Sequence, residues 1–215
     1  MIRAIVVSLT LSMGVSFAGF AQESNDASRL RMDQERAAWI AEASSRPIES
    51  LLGQVQKSGD DLDPVITVTT LGITREGPRP GAADRGFLRG FIDKTNGHVS
   101  AQIYVNEIRT APIEYDYRSY SYSLNLGLRN GLVIPVNHKV RGCSKWGCTH
   151  YLDLAIPISI EDIKLSYLTC KTGEIGNPLR YRLYATTGEQ QDALIPCNEV
   201  AAFSIQLAGM GAKFP

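Results

Sequence analysis

Four cysteines and three histidines are the side chains in this chain best equipped for chemistry. Cys143, Cys148 and His150 lie close together in sequence. Two thiolates and an imidazole could grip a metal ion, with Cys170, His138 or Asp153 completing a tetrahedral site. The spacing matches no common zinc pattern. The same sulfurs could instead cross-link, and four cysteines allow three pairings. Cys143–Cys148 would close a short turn through Ser144, Lys145, Trp146 and Gly147, and Cys170–Cys197 would tie two helices end to end. On loop-closure entropy the longer bridge contributes roughly 3–4 kcal/mol and the shorter about 2 kcal/mol. A redox dithiol uses a two-residue spacer at a helix N-terminus. The Cys143–Cys148 spacer is longer and lies between strands. No histidine directly follows Cys148, so the motif is not a haem attachment site.

Acid–base chemistry has fewer candidates. His150 with Asp153 could act as a base with an orienting carboxylate. Residues three apart on a strand point to opposite faces, however. His98 follows a turn and is expected at the surface, and His138 lies on a strand. No Gly-x-Ser-x-Gly, Ser-x-x-Lys or His-Glu-x-x-His occurs. The glycine-rich stretch Gly77–Gly86 lacks phosphate-loop spacing and reads as a loop, a connector ahead of a gate over a groove. No cofactor signature is present.

Aromatic residues suggest binding instead. Tyr115, Tyr117, Tyr120 and Tyr122 alternate with Arg118 and serines. Such a row could offer a stacking platform to a sugar or an extended peptide. It could equally fill the core face of a sheet, where aromatics favour strands. Trp146, held in the Cys143–Cys148 loop, is a second anchor that would lose little entropy on binding.

The compartment decides between thiolates and disulfides. Residues 1–21 read as a secretory signal peptide: Arg3, an apolar stretch through Phe17, then small residues up to Ala21. The stretch is short and broken by serines and glycine, unlike a membrane anchor. An exported chain meets oxidising conditions, which favours disulfides at Cys143, Cys148, Cys170 and Cys197 over metal. The 22 basic and 22 acidic side chains balance. That gives no electrostatic reason to expect nucleic acid or an anionic membrane as partner.

Behind these residues, 22–60 read as a helical segment, 61–209 as an α+β domain and 210–215 as a frayed tail. Ile48, Leu51, Leu52 and Val55 follow Pro47 at helical spacing. Strands are expected over Val65–Thr70, Phe87–Asp93, His98–Asn106, Tyr115–Leu128, Leu132–Val140, Tyr151–Ile158 and Leu179–Ala185. Asn96-Gly97 and Asn130-Gly131 read as hairpin turns. Tyr115 and Tyr117 differ in parity from Tyr120 and Tyr122, which implies a bulge near Arg118–Ser119. Ser159 and Asn198 are read as helix caps. The result is an α+β fold: an antiparallel sheet of hairpins, packed on one face by helices and stapled by disulfides. The expected role is a periplasmic or secreted, non-catalytic protein that binds a protein or envelope component through its sheet face or aromatic loop. The alternatives are a hydrolase-like site at His150 and Asp153, or a Cys/His metal site.

Overall fold

The computed structural model describes residues 18–71, 73, 86–111, 115–124, 127–170 and 178–210. The described residues begin with α1 (Ala18–Ser45), α2 (Ile48–Leu52), β1 (Gln56–Ser58) and β2 (Val65–Thr69). Next come β3 (Gly86–Asp93), β4 (Val99–Ala111), β5 (Tyr117–Leu124), β6 (Gly127–Leu132), β7 (Ile134–Ser144) and β8 (Gly147–Ile158). It closes with α3 (Ile160–Cys170), β9 (Leu179–Ala185), β10 (Gln190–Ile195) and α4 (Cys197–Gly209). The class is α+β, built from antiparallel hairpins. The strands form two sheets, a large one in the order β1-β2-β3-β4-β8-β7 and a small one in the order β10-β9-β5-β6.

Alternation gives the large sheet a buried face. Ile103 and Val105 on β4 face inward with Leu152, Leu154 and Ile156 on β8. Two glycines show what covers that face. A Cβ on Gly90 would stand 2.8 Å from Leu207 and 2.9 Å from Phe203 of α4, and one on Gly86 would strike the Tyr181 hydroxyl of β9. Helix and small sheet therefore share the cover, so the helices are not the only lid over the sheet. Phe203 in α4 is fully buried, and burial of a side chain this size stabilises the fold by roughly 2–3 kcal/mol.

The Asn96-Gly97 hairpin forms as expected, with Gly97 at φ +72°. The Asp93 carboxylate accepts hydrogen bonds from the Thr95 and Asn96 side of the turn. The second hairpin differs. Tyr115–Leu128 is not one strand, because β5 turns back and pairs Leu124 with Gly127. Asn130-Gly131 is no turn: it lies within β6, opposite Ser121 and Tyr120. Gly131 is needed there because a Cβ would come within 2.5 Å of the Tyr120 hydroxyl. At Val133 the chain leaves the small sheet, its N–H donating to the Arg118 carbonyl, and Ile134 joins β8 of the large sheet.

Three further elements depart from the sequence reading. Gln56–Ser58 pairs with β2 as a short strand, whereas the helix before it ends at Leu52. β10 follows β9 through a tight turn at Gly188, where φ is +85°. α4 starts at Cys197 after Pro196, so Asn198 does not cap it. The Asn198 amide instead donates to the Ala43 and Arg46 carbonyls at 2.7 and 2.9 Å, tying the end of α1 to the domain. Helix α1 is continuous across position 21. The stretch from 74 to 85 and the tail beyond Met210 lie outside the described residues.

Candidate functional site

The outer face of the small sheet carries an open concave surface. A cavity of about 510 Å³ lies over β5, β9 and β10, with Ile40 of α1 and Leu128 of β6 among its walls. Alternation puts Ser121 and Ser123, Arg180, Arg182 and Tyr184, and Asp192 on this side while Tyr120, Tyr122, Tyr181 and Leu183 go to the core. The Ser121 and Tyr184 hydroxyls are 3.2 Å apart. Arg182 is clamped by Asp192 through two parallel contacts, one of 2.8 Å. The Asp192 hydrogen bond and charge raise the Arg182 pKa, so the guanidinium stays protonated. Arg180 is exposed on the same strand and has no ion-pair partner among the described residues. Paired hydroxyls, a fixed guanidinium, a free one and apolar walls suit an anion with a hydrocarbon body.

The four tyrosines of the sequence reading do not line this surface with their rings. Tyr115, Tyr117, Tyr120 and Tyr122 all belong to the core between the sheets. The bulge between Tyr117 and Ser119 is present, and it is why tyrosines of opposite parity share one side. The row is core filling, and the stacking-platform reading is corrected accordingly. Tyr122 also performs a structural task. Its hydroxyl donates to the Asp162 carboxylate at 3.1 Å and accepts the Ser159 N–H at 3.1 Å, securing the start of α3. The Arg129 guanidinium lies 3.5 Å from that carboxylate. Burial pushes the Tyr122 phenol up to about 12.

Cys143–Cys148 and Cys170–Cys197 are bonded as expected, and no cysteine is free. With every sulfur in a disulfide, the Cys143–Cys148–His150 ligand set is not available. The first bridge spans β7 and β8 behind the two-residue tip Lys145–Trp146, and Trp146 is 80 % exposed there. The second joins the end of α3 to the start of α4.

His150 and Asp153 lie on opposite faces of β8, as strand geometry requires. His150 is 0 % exposed. Asp153 sits on the outer face, accepting hydrogen bonds from the Asn106 and Asn137 amides. They form no dyad. His150 instead meets His138, Nδ1 to Nε2 at 2.9 Å, an association the sequence reading missed. The tip register at Cys143–Cys148 would place His138 opposite Asp153, and the register shift between Arg141 and Ser144 is what brings both imidazoles to one face, so no spacing in the sequence signals it. Around them lie Glu107, buried, and Arg109, 3.8 Å from Glu107 and paired with Glu189. Burial raises the Tyr115 and Tyr117 phenols beside this group. Among the described residues the buried His150 Nε2 has no hydrogen-bond partner. His98 is at the surface, as expected.

Fold and surface together define a disulfide-stapled, two-sheet α+β protein with an open cationic groove. No protein-family model, curated protein or solved structure matches the chain.

Proposed function

We propose that this is an exported, non-catalytic binding protein of the periplasm or extracellular space, which takes an organic anion on the outer face of its small sheet. The observation that carries the reading is Arg180, a guanidinium without an ion-pair partner among the described residues, on the wall of a cavity of about 510 Å³ beside the preset Arg182. Export is supported by the leader-like first 21 residues and by two disulfides. Among the described residues no helix is long and apolar enough to cross a membrane. A non-catalytic role is supported by the separation of His150 from Asp153 and by the sealed position of His150.

The test is fluorescence titration with anilinonaphthalene sulfonate, an anion with an apolar body. Saturable binding is expected, and Arg180→Ala should weaken it at least tenfold, since a charge-assisted hydrogen bond contributes roughly 1.5–3 kcal/mol. No saturable binding, or equal binding by the variant, would remove the groove from consideration. Export is checked separately by N-terminal sequencing of protein from the native host, with Gln22 the expected first residue. A leader still attached would sink that part of the reading.

A further inference from the structure

The β7–β8 hairpin has features that the groove does not use. Trp146 projects from its tip with Lys145 beside it, the ammonium 4.9 Å from the ring centre. Lys139 and Arg141 follow on the exposed outer face of β7, with the Arg141 guanidinium 5.9 Å from the Tyr151 ring. None of these three cations is ion-paired among the described residues. The sequence holds no Asp or Glu between Tyr117 and Leu152. A balanced total charge therefore hides a local cationic arm. Behind the tip, a depression of about 270 Å³ is lined by Lys139, Arg141, Tyr151 and Ile108. Asp153 and Glu107 also border it, the Asp153 carboxylate accepting hydrogen bonds from the Asn106 and Asn137 amides.

We propose that this stapled hairpin docks on an anionic lipid bilayer, with Trp146 in the interface and Lys145, Arg141 and Lys139 facing the headgroups. An indole combines an apolar body with a polar N–H and settles at membrane–water boundaries. Cations next to it gain from the negative surface potential within a Debye length. The disulfide holds the tip in shape, so little conformational freedom is lost on contact. Addition of a partner strand fits the edge less well. β7 carries Pro135, Lys139 and two register shifts, all of which discourage pairing.

The experiment is vesicle co-sedimentation of the chain as the cell exports it. Phosphatidylcholine vesicles are compared with vesicles that also contain phosphatidylglycerol. Binding to the anionic vesicles alone is expected. A Trp39→Phe background leaves Trp146 as the single indole, and its emission should shift to the blue on those vesicles. Each cation at the surface is worth about fivefold in partition, so Lys145→Glu, which changes two charges, should weaken binding roughly twentyfold or more. Trp146→Ala should abolish stable sedimentation, with the melting temperature unchanged because the side chain is exposed. All variants share one N-terminus, so differences among them report the hairpin. The proposal falls if the anionic vesicles are not bound, if neutral vesicles bind equally, or if Trp146→Ala binds like the parent. Binding of the hairpin to acidic proteins but not to vesicles would also overturn it. None of these outcomes bears on the Arg180 titration.

Discussion

Gly131 and Tyr122 show how single residues fix the packing of the small sheet and its attachment to α3. Gly131 faces the Tyr120 ring so closely that an added methyl would stand 2.5 Å from the hydroxyl and 2.7 Å from Cζ. Gly131→Ala should therefore cost roughly 1–3 kcal/mol through forced displacement, read as a lower denaturant midpoint at unchanged slope. Tyr120→Phe in the same chain should restore only part of it, because Cζ remains. Tyr122→Phe removes the donor to Asp162 and the acceptor for Ser159 N–H. Asp162 is fully buried, so leaving it short of a partner should cost on the order of 2–3 kcal/mol. Stability of this variant equal to the parent would show that Arg129 alone suffices for Asp162.

At the level of elements, the two disulfides do different work. Cys170–Cys197 closes a loop of sequence separation 27 between helices that also pack on each other. Cys143–Cys148 closes one of separation 5 at the end of a hairpin already paired by its strands. Replacing Cys170 and Cys197 by alanine together should cost roughly 3–4 kcal/mol, and replacing Cys143 and Cys148 about 2 kcal/mol or less. Thermal unfolding in non-reducing buffer decides the order. A larger loss from the hairpin pair would mean that the tip contributes to the core. Among the described residues the α1 end is tied by Asn198, by buried Ala43 and by half-buried side chains such as Ile40.

Across the whole molecule, the space between the sheets is rich in phenols. Burial raises the pKa of Tyr115, Tyr117, Tyr120 and Tyr122, the last to about 12. An unfolded tyrosine ionises near pH 10. Above that pH the unfolded chain has lost protons that the folded chain still holds, so stability is complete below about pH 10 and falls as pH rises. Tyr122 alone removes roughly 2–3 kcal/mol by about pH 12. Denaturant unfolding at stepwise higher pH, with tyrosinate absorbance as a second probe, should show unfolding and ionisation of the buried phenols together. Ionisation of every tyrosine near pH 10 with the fold intact would contradict this packing.

Local patterns in the sequence determined the α+β class, the Asn96-Gly97 turn, the bulge before Ser119 and the short Cys143–Cys148 bridge, whereas the Cys170–Cys197 pairing was one of the options that four cysteines allow. Turn geometry, strand parity and spacing act over a few residues, so they can be read without knowing the fold. Parity also separated His150 from Asp153 in advance. The turn assigned to Asn130-Gly131 failed because what a glycine serves there is close approach of Tyr120, a residue of the neighbouring strand. The tyrosine row had an inward and an outward reading, and only the second sheet decided which side was dry. The His138–His150 contact depends on the register shift inside the β7–β8 hairpin, and the groove under Ile40 on how helix and sheet stack. Burial, charge pairing and concavity are relations between segments far apart in the chain, and the tertiary structure alone sets them.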